Sequence, residues 1–131
     1  MKERRATRRF FCDAKLELEG AGGEQLLGHA TDVSMNGVGV QLGAEVLEML
    51  GLTQMGGLLD PNAPHLRARI YLREDDPSEA LALRGVPLHV RRLSREHYQL
   101  GVRLVFENAG QKEALQEWVD RLQGSCDGRD A

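Results

Sequence analysis

Apolar and polar positions alternate with period two along most of this chain, then shift to a helical period near its end. In AKLELEG, Ala14, Leu16 and Leu18 fall on one face and Lys15, Glu17 and Glu19 on the other, which predicts a strand with one solvated side. Ala21-Gly22-Gly23 reads as a turn. A second strand runs through Leu26, Leu27, His29 and Thr31. The turn formers of DVSMNG interrupt it, and VGVQL (residues 38–42) resumes as a third. Residues 32–37 therefore sit on a connection between two strands.

Residues 44–50 (AEVLEML) predict one or two helical turns, with Gly51, Gly56, Gly57, Pro61 and Pro64 marking a loop beyond. HLRARIYL (65–72) alternates again, and EDDPS (74–78) is a polar loop. Residues 81–92 and 98–106 read as two more strands joined across 94–97. In NAGQKEALQEWVDRLQG the period changes: Leu115, Trp118, Val119 and Leu122 stand at i, i+3, i+4 and i+7, one apolar stripe of a helix. Asn108 with Gln111 three residues on marks its start, and Gly124 its stop. Six strands and one helix predict a mainly β fold: a six-stranded antiparallel barrel, with the amphipathic C-terminal helix over an open end or edge.

The totals add bounds. At 131 residues one domain is expected. It divides into a flexible basic arm (1–13), the barrel with its helix (14–124) and a tail (125–131). No apolar run reaches the ~18 residues of a membrane span, and the N-terminus lacks the apolar stretch of a secretory signal. Cys12 and Cys126 show no C-x-x-C spacing, so a reduced, cytoplasmic protein is expected. The net charge of -3 argues against wrapping nucleic acid with the whole surface.

Charge is unevenly placed. Residues 1–15 carry six basic and two acidic side chains, which leaves -7 on the remainder. Arg4, Arg5, Arg8 and Arg9 fall within six residues, just ahead of Phe10 and Phe11. A charged terminus is often only a solvated tail. Here Phe10 and Phe11 should pack on the barrel and hold Arg9 near its body, and Arg5 is four residues back. Guanidinium forks grip phosphate bidentately and stack on rings, so two of them suit a small ligand carrying phosphates and purines. Asp32, Ser34 and Gly37 make a compact polar shelf: an acceptor carboxylate, a hydroxyl and a glycine that permits close backbone approach.

Other candidates carry less. His29, His65, His89 and His97 are scattered, with no pair at metal-ligand spacing, so structural or surface roles and no metal are expected. Ser34 lacks the G-x-S-x-G setting of a nucleophile. Glu74, Asp75 and Asp76 beside Pro77 read as a solvated loop. Gly37, Gly39 and Gly43 do not have dinucleotide-fingerprint spacing. Nothing points to an enzyme.

The two motifs, in this order, resemble those of PilZ domains. Arg5-Ala6-Thr7-Arg8-Arg9 matches the R-x-x-x-R element, and Asp32-Val33-Ser34-Met35-Asn36-Gly37 the [D/N]-x-S-x-x-G element. VPLHVRRLSREHYQLGVRLVF, with Leu100-Gly101-Val102-Arg103 ahead of a closing strand and helix, looks like the family too. The resemblance implies a bacterial receptor for cyclic di-GMP. By motif position Arg5 and Arg9 would grip the ligand, Asp32 would accept from guanine N–H groups, Ser34 would bond a phosphate or base, and Gly37 would let the backbone close in. R-x-x-x-R also occurs at Arg4 and Arg8; Arg5 and Arg9 are preferred because apolar strand residues follow directly. An arginine at position 4 resembles family members that bind two stacked ligands.

The expected mechanism is a switch. Like charges keep the free arm mobile, and the ligand's phosphates pull it onto the barrel. This changes the surface seen by an unidentified effector protein. A different class is a PilZ-fold adaptor that works by protein contact without nucleotide, with residues 44–59 as its surface. A nucleic-acid-binding barrel is disfavoured by an aromatic content of 5% and by the lack of a second basic patch in the sequence.

Overall fold

The computed structural model describes residues 9–20, 23–50, 65–73 and 78–125. Strands β1 (Phe10–Glu19), β2 (Gln25–Val33) and β3 (Gly37–Gly43) lead into a short helix, α1 (Ala44–Met49). Then come β4 (Leu66–Tyr71), β5 (Ala80–Arg92), β6 (His97–Val105) and the long helix α2 (Ala109–Ser125). All neighbouring pairs are antiparallel, and the order β1-β2-β3-β6-β5-β4 closes on itself through β4 and β1. Closure removes the unpaired strand edges that an open sheet would present.

The strands alternate as the sequence predicts. Leu16, Leu18, Ala30, Val40, Ile70, Leu83, Leu100 and Val102 point inward and are buried. The barrel interior keeps a cavity of only ≈ 10 Å³, room for no more than about one water. The barrel is thus a packed core, and any ligand must bind outside it. Helix α1 adds Leu47 to that core, with Leu50 just beyond it. Helix α2 rests on β1 and β5 and buries Leu115, Trp118 and Val119, three of the four stripe residues. Its start is capped as expected: Asn108 Oδ1 accepts from the Gln111 N–H at 2.9 Å. The Gln111 amide accepts from the Glu107 N–H at 2.6 Å and donates to the Ala82 carbonyl at 3.0 Å, pinning the helix start to β5.

Several boundaries differ from the sequence reading. β1 begins at Phe10, so residues 10–13 of the expected arm are strand, held by pairing of Phe10 with Val33 and Phe11 with Asp32. Asp32 and Val33 still belong to β2, and Gly37 already to β3, which leaves Ser34, Met35 and Asn36 as the connection. Gly124 lies within α2, which runs one residue past the expected stop. Most of the proposed 44–59 surface falls outside the described residues, as does the tail from Cys126.

Besides a register shift in β1 between Phe11 and Ala14, two irregularities decide which side chains face out. Ala30 pairs with Val40 and Asp32 with Gly39, so Thr31 is an extra residue in β2. Pro87 pairs with Val102 and His89 with Gly101, so Leu88 is an extra residue in β5. Each is a β-bulge, which turns two successive side chains to the same face. Thr31 and Asp32 accordingly both lie outside between buried Ala30 and Val33, and Leu88 and His89 between buried Pro87 and Val90.

Candidate functional site

Both bulges flank one cleft on the outside of the barrel. It measures ≈ 490 Å³ and is lined by Arg9, Asp32, Asn36, Gly37 and Gly39 on one side and by residues of β5 and β6 on the other. That volume falls in the range of small-molecule sites, roughly 300–1,000 Å³.

Its rim is an ion pair. Arg9, immediately before β1, donates from Nε to Asp32 Oδ1 at 3.0 Å and from Nη2 to the same oxygen. The side chains are 35% and 19% exposed, so the pair is partly shielded yet reachable from solvent. The pairing of Phe11 with Asp32 sets it up: once Phe10 is buried at the strand start, Arg9 emerges beside the Asp32 carboxylate.

The connection behind it is held by Ser34. This side chain is 2% exposed. Its Oγ accepts from the N–H groups of Asn36 at 3.1 Å and Gly37 at 3.2 Å. The Ser34 N–H in turn donates to the Gly37 carbonyl at 2.9 Å, and the Asn36 carbonyl accepts from the Leu104 N–H at 2.9 Å. The hydroxyl therefore shapes the loop from within and does not line the cleft. Gly37 is demanded by close approach: a Cβ there would lie 2.7 Å from the Val102 carbonyl oxygen.

The floor is bare backbone. Gly39 and Gly101 are paired across β3 and β6, and side chains lean over both. Asp32 Oδ2 and Gln99 Nε2 lie 2.6 and 2.7 Å from where a Gly39 Cβ would stand, and the His89 ring lies 2.5 Å from that of Gly101. Gln99 Nε2 donates to Thr31 Oγ1 at 2.9 Å, and Thr31 Oγ1 donates to the Gly39 carbonyl at 3.3 Å. Arg91 and Arg103 complete the wall, so three arginines and one carboxylate line this cleft of an acidic chain.

Of the residues singled out in the sequence, Arg9, Asp32 and Gly37 meet at the cleft and Ser34 supports it from behind. Arg4 and Arg5 lie outside the described residues. His89, Arg91, Gln99 and Arg103 were not anticipated as lining. Their strands alternate like any solvated face, and only the β3–β6 pairing and the β5 bulge bring them opposite Asp32.

The profile of the PilZ domain matches residues 3–121. The chain belongs to the PilZ domain family. The closed six-stranded barrel with its C-terminal helix agrees with solved PilZ structures. The PilZ domain of Escherichia coli YcgR with c-di-GMP superposes with a TM-score of 0.64 at 11% identity, covering 95% of both chains. The Klebsiella pneumoniae MrkH–c-di-GMP complex gives 0.66 at 17%, over 97% of this chain and 55% of that one. The Bacillus subtilis inhibitor of motility MotI/DgrA gives 0.64 at 20%, over 92% and 51%. This PilZ chain thus spans about half the length of MotI/DgrA and MrkH, and at these identities the likeness is one of fold. No curated protein matches it. Among the described residues no group of three or more His, Cys, Asp or Glu is placed to hold a metal, and no helix is long and apolar enough to cross a membrane.

Proposed function

We propose that this PilZ domain is a receptor for cyclic di-GMP. The observation that carries the reading is the meeting of Arg9 and Asp32, one from each motif, at the rim of a cleft that also holds Arg91 and Arg103. The ligand's two phosphates need cations, and guanine offers acceptors at O6 and N7 that an arginine fork fits and donors that a carboxylate fits. The MrkH and YcgR structures with c-di-GMP support the same choice of ligand.

In this reading Arg9 exchanges part of its contact with Asp32 for a phosphate or guanine edge, and Arg5 joins it from the arm. Asp32 accepts from base N–H groups, Gly37 lets the backbone approach, and Ser34 positions the loop. Arg4 contacts a second stacked ligand, so the binding ratio is two; one ligand per chain would end that part. The role is binding, not catalysis. The ligand draws the arginines onto the barrel and changes the surface offered to an effector protein in the cytoplasm.

Backbone amide mapping by NMR tests the location. Cyclic di-GMP should shift the amides of residues 36–39 and 99–103 and slow hydrogen exchange in residues 3–11. Shifts confined to the α2 face, around Cys12 and Trp118, would refute this placement.

A further inference from the structure

The cleft is divided electrostatically in a way that neither motif explains. At its β1–β2 side the charges compensate, because Arg9 is paired with Asp32. At its β5–β6 side they do not. Arg91 and Arg103 line that wall, and neither side chain forms an ion pair or hydrogen bond with another described residue. His89 stands between them: Arg91 follows it by two residues on β5, and its partner Gly101 precedes Arg103 by two on β6. The β5 bulge puts it there, since plain alternation from Pro87 would turn His89 inward. Its imidazole also has no hydrogen-bond partner among the described residues. The ring leans over the bare α-carbon of Gly101, with Nε2 and Cε1 both 2.5 Å from where a Cβ would stand.

We propose that His89, seated on Gly101 between Arg91 and Arg103, donates a hydrogen bond to a phosphate of the bound ligand. This rests on the cyclic di-GMP reading and gives the ligand a direction, with one phosphate toward β5 and β6 and guanine toward Asp32. Two uncompensated guanidinium groups draw the anionic part of a ligand to their side, and the carboxylate repels it on the other. Neutral imidazole carries one ring N–H and imidazolium two, so either form can donate to a phosphate oxygen. Gly101 is a positioning residue. The three atoms nearest to a Cβ at Gly101 all belong to the His89 ring, so a methyl group there turns the ring away without parting the strands.

Calorimetric titration of the intact chain with cyclic di-GMP tests this, using wild type, His89→Ala, His89→Gln, Gly101→Ala and the double variant His89→Ala/Gly101→Ala. His89→Ala should bind about tenfold more weakly. His89→Gln, whose amide keeps an N–H donor, should recover most of that loss. Gly101→Ala should weaken binding by a similar factor in the wild-type background, yet by less than about twofold once His89 is already Ala, because the two sites are coupled through the ring. In phosphorus NMR, the resonance of the bound ligand should differ between wild type and His89→Ala. Wild-type affinity in His89→Ala, no recovery in His89→Gln, equal effects of Gly101→Ala in both backgrounds, or an unmoved phosphorus resonance would each overturn the inference while the receptor reading stands. Wild type that binds no cyclic di-GMP overturns both.

Discussion

Gly37→Ala separates the demands of the fold from those of turn chemistry. A methyl group at this position would meet the Val102 carbonyl oxygen at 2.7 Å, and that atom is strand backbone, not the end of a flexible side chain. Relief requires β3 and β6 to part where Gly37 pairs with Arg103 and Val38 with Val102. It also disturbs the Gly37 N–H that Ser34 accepts. Overpacking of this kind costs about 1–3 kcal/mol, which for a domain of this size lowers Tm by roughly 3–15 °C. Gly43→Ala is the matched control. There the nearest atom, the Glu96 carbonyl oxygen, is 3.8 Å from the new Cβ, and φ is -81°. The entropic gain of Gly→Ala and the loss of a favoured N-cap glycine roughly cancel, to within about 1 kcal/mol. Thermal denaturation followed by circular dichroism compares the two. Equal melting temperatures for both variants would show that the close β3–β6 approach at Gly37 is wrong.

Ser34→Ala removes the acceptor for two backbone N–H groups inside the loop and should cost about 1–3 kcal/mol; denaturant melts check this, and an unchanged midpoint would mean that the hydroxyl does not hold the loop. Leu115→Ala, at a fully buried position of α2, should cost about 2–5 kcal/mol, whereas a negligible change in the same assay would mean that the helix does not pack on the barrel. Arg9→Ala should alter stability by no more than about 1 kcal/mol, because its ion pair is partly exposed, yet weaken cyclic di-GMP binding by about ten- to a hundredfold; a large fall in Tm would make Arg9 a structural residue.

The strands were legible because their inward residues obey period two, and the helix because Leu115, Trp118 and Val119 obey 3.6. The Asp32–Gly37 break was legible from its turn formers. What periodicity does not carry is where the alternation slips. In β5 the inward positions run Leu81, Leu83, Gly85 and Pro87, then resume at Val90. In β2 they switch between Ala30 and Val33. Both slips lie beside the cleft, and they turn Asp32 and His89 outward where plain alternation would bury them. Arg91 and Arg103 illustrate the same limit: each reads as a solvated strand residue until closure sets β5 and β6 opposite Arg9. The motif position of Ser34 implies a ligand contact; the structure shows its buried hydroxyl bonded to two backbone N–H groups of the loop, an arrangement that turn composition alone does not reveal.

The central claim is that the Arg9–Asp32 cleft binds cyclic di-GMP, and calorimetric titration of the intact chain tests it most directly. Wild type and Arg9→Ala are titrated side by side with cyclic di-GMP, with GTP and cyclic di-AMP as controls. Saturable binding selective for cyclic di-GMP, weakened at least tenfold in Arg9→Ala while the melting temperature holds, is the predicted result. No binding by wild type at high micromolar ligand, or equal binding by the variant, would contradict the claim; the first outcome would favour an adaptor that acts by protein contact.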